Sequence, residues 1–218
     1  MISQQKLIGL IVAIVVVLFG GLTFALFKMP PAHSLPAGEI IFNDEASPTK
    51  GKQDAKVVVR MYSDFQCPAC RFAEPALQAI MQAYSDRVKF VWKDFPLLAI
   101  HPNARGAANV ARCADAQGKF WEYHDQLFTV QDGWAKERDP KTRFAQFARE
   151  LGLGEGDFTK CMNDRSFDDR VMRDLREGEK NGVNSTPTFF INDRITRART
   201  EAEWRSALDA TLKDAEKK

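Results

Sequence analysis

The sequence has almost no surplus charge, few histidines and few cysteines, and each shortage narrows what the chain can do. Lys and Arg number 31 against 29 Asp and Glu. The excess is Lys6 and Lys28, both in the first 28 residues, where no acidic residue occurs. The remainder is formally neutral and offers no electrostatic case for a nucleic-acid partner, whose phosphates call for clustered cations. Three His and four Cys could in principle supply a zinc site. Structural zinc sites, however, usually pair two closely spaced couples of ligands, and Cys113 and Cys161 stand alone. His33 lies in a Pro-rich stretch, His101 precedes Pro102, and His124 falls on an apolar helical face as a core-edge histidine. No metal is expected. Repeats and low-complexity tracts are also missing.

What is present begins with an apolar run. Residues 7–27 carry no charge, and about 20 such residues cross a bilayer core as a helix. A cleaved signal peptide needs a shorter apolar core and a small-x-small cleavage site. This run is too long, and Phe24-Ala25-Leu26-Phe27 offers no such site. Residues 1–28 are therefore expected to be a transmembrane signal anchor. Charge orients it only weakly, but an even count of cysteines suits disulfides in an oxidising compartment. The expectation is amino terminus in, domain outside the cytoplasmic membrane. Pro30, Pro31, Pro36 and Pro48 mark residues 29–55 as a tether, in which residues 39–42 could add an edge strand.

From residue 56 the pattern is that of a folded α/β domain. The β-branched run 56–62 reads as a strand, 67–84 as a helix with Pro68 in its first turn and Pro75 inside, and 88–92 as a second strand. Residues 101–182 turn to helical periodicity, with apolar residues recurring through 104–117, 120–128 and 144–151, and a charged helix at 167–180. A strand at 188–191, a turn at Asn192-Asp193, a short strand near Ile195-Thr196 and a final helix from about Thr200 close the chain.

The chemistry-bearing motif is Cys67-Pro68-Ala69-Cys70, a dithiol at the mouth of a helix. Thiol–disulfide exchange needs a thiolate that attacks a disulfide sulfur and a second thiol that resolves the mixed disulfide. A helix N-terminus favours an anion, which makes Cys67 the nucleophile. Cys70, one turn inward on the same face, is the resolver. Helix geometry predicts exposure for Cys67 and shelter for Cys70. Cys113 and Cys161 lie outside any second CxxC, so a structural disulfide is the expectation over a redox relay. Closing a loop of that length stabilises by about 4 kcal/mol on the chain-entropy model.

The motifs together resemble the bacterial DsbA-like thiol–disulfide oxidoreductases. They run, in order, Phe65-Gln66-Cys67-Pro68-Ala69-Cys70, Asp94-Phe95-Pro96 before His101-Pro102-Asn103-Ala104, Gly118-Lys119-Phe120-Trp121, and Gly182-Val183-Asn184-Ser185-Thr186-Pro187-Thr188-Phe189-Phe190. The resemblance covers residue 40 to the end. It implies a thioredoxin-like α/β fold over 56–218 with a helical insertion at about 101–182, preceded here by the transmembrane helix. It implies a cis peptide at Thr186-Pro187 facing the dithiol, and a substrate groove of Pro68, Ala69, Thr186 and Pro187. It implies activity on cysteine-containing exported proteins without a bound cofactor. Re-oxidation would come from a quinone-linked membrane thiol oxidase, DsbB-like or related to vitamin K epoxide reductase. Two departures bear on redox strength. Ala69 stands where the strongest oxidants carry His, and Met61 where the family often has a buried Glu. Arg71, four residues after Cys67, could partly replace the missing positive charge. Oxidase and reductase or isomerase remain alternatives at this level, as does a non-catalytic metal-binding or docking module.

Overall fold

A computed structural model describes residues 40–217. The expected membrane anchor at 1–28, the first part of the tether and His33 lie outside the described residues. Among the described residues no helix is long and apolar enough to cross a membrane.

Five strands form one mixed sheet in the order β1-β3-β2-β4-β5. They are β1 (Thr49–Gly51), β2 (Val57–Ser63), β3 (Val88–Asp94), β4 (Thr188–Ile191) and β5 (Arg194–Thr196). Helix α1 (Pro68–Ala83) connects β2 to β3, which pair in parallel from Val57↔Val88 to Ser63↔Asp94. Between β3 and β4 lie α2 (Ala104–Asp115), α3 (Phe120–Thr129), α4 (Lys141–Glu150), α5 (Glu155–Asp164) and α6 (Asp168–Lys180). Helix α7 (Glu201–Glu216) ends the fold. Thr200 caps it by accepting from the Glu203 N–H, while Glu203 returns a bond to the Thr200 N–H, satisfying two donors that a helix start leaves orphaned.

Period-2 alternation gives the sheet two apolar faces. Val57, Val59, Met61, Phe90, Trp92, Phe189 and Ile191 join the large core with α1, α3 and α7. Tyr62 and Phe190 point the other way, into a smaller cluster with Phe95, Leu175 and Val183 under α6. Gly178 permits that approach, since a Cβ there would lie 2.7 Å from the Phe95 ring and 2.9 Å from that of Tyr62. The helix α1 is continuous through Pro75.

Two expectations change. Residues 40–42 form no strand; the side-chain amide of Asn181 bonds the N–H and C=O of Ile41 in a partner strand's place, at 3.2 and 2.9 Å. The edge strand is β1, antiparallel to β3. The described end of the tether is also integral to the domain: Ile40 and Phe42 pack on the smaller cluster, and Asp44 pairs with Arg60 at 2.6 Å and Lys93 at 3.3 Å.

That second face carries a charged network scattered through the sequence. Arg112, 1 % exposed, bridges Asp94 at 2.7 Å and Asp174 at 2.8 Å. Lys93, wholly buried, reaches Glu177 at 3.0 Å. Burial first, then the neighbouring Asp94, pushes the Asp174 carboxyl up to about 6, against the pull of Arg112 and Lys93. A buried pair of this kind is weak evidence of net stability, because desolvation offsets the attraction.

Candidate active site

Sheet register creates the site. Antiparallel pairing of β2 and β4 sets Tyr62 opposite Thr188. The residues just before β4, Thr186 and Pro187, therefore arrive beside the loop that leaves β2 for Cys67. Their peptide bond is cis. Cys67 is the N-cap of α1, in extended backbone (φ −73°, ψ 122°), with Pro68 opening the helix where a missing N–H costs nothing.

The two thiols, both free, sit in opposite environments. The Cys67 thiol donates to the Thr186 carbonyl at 3.7 Å. Its pKa is lowered from 9.0 to about 5. The chief cause is a hydrogen bond from the Cys70 thiol. Partial burial opposes it, and the Thr186 side chain and the N–H groups of Cys70 and Ala69 reinforce it. Those two amides are the second and third of the helix, the positions an N-cap acceptor serves, although the Cys67 side chain makes no capping hydrogen bond here. The Thr186 hydroxyl is buried and has no hydrogen-bond partner among the described residues, which leaves it available to donate once the sulfur is ionised. Thr186 thus serves both protonation states, its carbonyl accepting from the thiol and its hydroxyl favouring the thiolate.

Cys70 is pushed well above 9.0, first by burial and then by its bond to Cys67. Its sulfur accepts from the Asp64 N–H at 3.5 Å. Cys67 differs from expectation in exposure: the residue is only 6 % exposed, against 1 % for Cys70. Thr186 and the loop before the helix cover it, while Pro68 and Ala69 stand open.

Arg71 is engaged elsewhere in this structure. Its guanidinium turns to Asp132 at 2.6 Å, and it is absent from the groups that chiefly lower Cys67. The ion pair satisfies a charge that helix spacing alone would have offered to the sulfur.

Supports that the sequence did not reveal hold the loop. Gln131 Nε2 donates to the Phe65 and Cys67 carbonyls at 2.7 and 3.0 Å. The Asp64 carboxylate accepts from Gln66 N–H at 2.7 Å and Leu97 N–H at 2.8 Å, and contacts His101 Nδ1 at 2.7 Å. Asp64, three residues before Cys67 in a Ser-Asp pair, was a readable turn signal; Gln131 carried no signal.

Cys113 in α2 and Cys161 in α5 form a disulfide, 48 residues apart in sequence. One cluster among the described residues could geometrically hold a cation: Glu74, His124 and Asp125 offer ligand atoms within 4.8 Å of one another. His124 Nδ1 is hydrogen-bonded to Asp125 at 2.9 Å, while Glu74 lies 3.7 Å from Nε2, beyond hydrogen-bond distance. Its ring lies among Trp92, Phe128 and Trp121, as an anchored core residue does. Glu74 keeps one oxygen without a partner, and burial raises its pKa against the attraction of His124.

Residues 43–210 match the family described as thioredoxin, and the chain belongs to that family. Among solved structures it resembles oxidised BdbD from Bacillus subtilis, with a TM-score of 0.69 at 23 % identity over 78 % of this chain and 95 % of that one. It also resembles Chlamydia trachomatis DsbA, with a TM-score of 0.67 at 16 % identity over 84 % of this chain and 97 % of that one. At such identities the likeness is one of fold: a thioredoxin-like domain with a helical insertion. A curated relative is the Na(+)/H(+) antiporter NhaA 3 of Salinispora tropica, 38 % identical over 145 residues. That match takes in 66 % of this chain but 21 % of the antiporter, so the chain spans about a fifth of that protein's length.

Proposed function

We propose that this thioredoxin-family chain is a thiol–disulfide oxidoreductase that introduces disulfides into exported proteins through Cys67 and Cys70. The observation that carries the reading is the opposed pair: a thiolate near pH 5 at a helix N-cap and a buried, high-pKa partner one turn away, both beside Thr186-Pro187. In the forward direction a substrate thiolate attacks the Cys67 sulfur of the Cys67–Cys70 disulfide, and Cys70 leaves, taking up a proton. A second substrate thiolate then attacks its own sulfur in the mixed disulfide and expels Cys67 as the thiolate. The substrate gains one disulfide; the protein gains two electrons as a dithiol.

Stabilising the departing Cys67 thiolate drives this direction. A thiolate pKa of about 7 accompanies the reductant thioredoxin and one of about 3.5 the strong oxidant DsbA; Cys67 at about 5 stands between. An oxidant of intermediate strength follows. Pro68, Ala69 and Phe72, the last 89 % exposed, give an unfolded substrate apolar surface beside the sulfur, and the cis Thr186-Pro187 segment gives it backbone to pair with.

The uncharged run at 7–27 supports a single-pass anchor holding the domain outside the cytoplasmic membrane. A quinone-linked membrane thiol oxidase in the same bilayer then re-oxidises the dithiol, at an encounter rate raised by shared tethering. Equilibration of the domain with glutathione tests the direction. A potential between those of thioredoxin (about −270 mV) and DsbA (about −120 mV) supports oxidation; one at or below thioredoxin's makes the protein a reductase.

A further inference from the structure

A cavity of about 610 Å³, lined by neither cysteine of the dithiol, lies against residues bonded to the active-site loop. Its wall includes His101 and Asn103, and both are tied to the active-site loop. His101 contacts Asp64 at 2.7 Å, and the Asn103 N–H donates to Gln66 Oε1 at 2.7 Å. Gln66 is the residue before Cys67, so cavity and nucleophile share one loop.

The lining is cationic over an apolar floor. Phe144 and Met162 are buried at its base. Arg105, Arg138, Lys141 and Arg165 face it, against the carboxylates of Asp139 and Asp168. Arg105 is held by Asp168, and Asp139 accepts from the Lys141 backbone N–H at 3.2 Å. Arg138, Lys141 and Arg165 make no ion pair with any described residue and are exposed. A second concavity also gathers cations, Lys56, Arg194, Arg197 and Lys217, but its wall has no hydrogen bond to the loop before Cys67 among the described residues, and solvated arginines scattered singly would need no account. Three unpaired ones around a cavity of ligand size, joined to the reacting loop, do.

We propose that this cavity is a specificity site for the substrate polypeptide: it receives an acidic side chain followed by a large apolar one, a few residues from the reacting cysteine. The carboxylate meets the unpaired cations at the rim, and the apolar side chain covers Phe144 and Met162. The inference rests on the exchange function proposed above.

The test compares two cysteine peptides, identical except for Asp-Phe or Lys-Phe three residues from the thiol. Each reduces the oxidised wild-type protein, and each rate is normalised to that peptide's rate with a small aromatic disulfide. The expected result is a kcat/KM roughly fivefold higher for the Asp-Phe peptide, as two exposed ion pairs would give. The preference should shrink in about 0.5 M salt. Arg138→Glu with Lys141→Glu should reverse it while each peptide still reacts. Equal normalised rates for the wild-type protein, or a preference for Lys-Phe, overturn the docking site and leave the exchange function standing. Failure of both peptides to reduce the protein overturns the exchange function and the docking site with it. Because the wild-type comparison is decisive alone, a reversal variant that fails to fold removes nothing.

Discussion

The two cysteine pairs of this chain are separated by their surroundings more than by their chemistry. Cys67 and Cys70 sit three residues apart across a helix start, one at the N-cap position with a lowered pKa and the other buried behind it with a raised one. Cys113 and Cys161 join the bodies of two helices 48 residues apart in sequence. The first pair has an uneven distribution of charge stabilisation, which is what makes one sulfur leave and the other resolve. The second lies away from any helix start, and a cross-link over such a loop is expected to act on the unfolded chain. A helix N-terminus turns a thiol into a redox centre, and a long loop turns one into a clamp.

The largest effect that can break this contrast is at the nucleophile. Cys67→Ser should abolish exchange, whereas Cys70→Ser should accumulate mixed disulfides on Cys67, visible on non-reducing gels with thiol substrates. Trapping on Cys70 in the Cys67→Ser variant instead would reverse the two roles.

Next in size is the clamp. Cys113→Ser with Cys161→Ser should lower unfolding free energy by about 4 kcal/mol, as a loop of this length predicts, and leave the exchange rate at Cys67 nearly unchanged. Denaturant titration and a substrate-oxidation assay on the same preparation separate the quantities. Lost turnover at unchanged stability would make the second pair a relay.

How much of this was legible in the sequence follows from the range of the interactions involved. The helix behind Cys67 and the strand pattern rest on local signals, Pro68 at a helix start and β-branched runs, whereas the Thr186-Pro187 approach was legible only through the family resemblance. Contacts across the fold were not legible. Arg71 stands on Cys67's helical face, yet Asp132, 61 residues away, takes it. The buried ions Lys93, Arg112 and Asp174, with half-buried Asp44, carry no local pattern in the sequence, and only register and packing bring them together. Residues 39–42 read as a possible edge strand, and what the sequence could not show is that Asn181, 140 residues after Ile41, supplies those bonds instead.

Smaller effects sharpen the account of the sulfur. Ala69→His places a donor beside the thiolate at an exposed position. The potential should become more oxidising by tens of millivolts, about 30 mV for each 1.4 kcal/mol, as read by glutathione equilibration. An unchanged potential would show the helix amides and Thr186 already saturate the sulfur. Smallest is Glu74→Gln on the same helix. The folded protein holds the Glu74 proton more tightly than the unfolded chain, so this carboxyl's contribution to stability falls as pH rises from the unfolded pKa through the folded one. The substitution should be neutral near pH 4 and stabilising near pH 7, by thermal melts at both. Destabilisation at pH 7 would mean the carboxylate has a partner, such as a bound cation.

The central claim is that the N-cap environment holds Cys67 as a thiolate while Cys70 stays a thiol. The direct test is the pH dependence of Cys67 alkylation in the reduced protein, with sites assigned by mass spectrometry and the thiolate followed by its ultraviolet absorbance. The account predicts a midpoint near 5 and an unreactive Cys70 through neutral pH. A midpoint near the ordinary thiol value of 9.0, or equal labelling of both cysteines at pH 7, would contradict it.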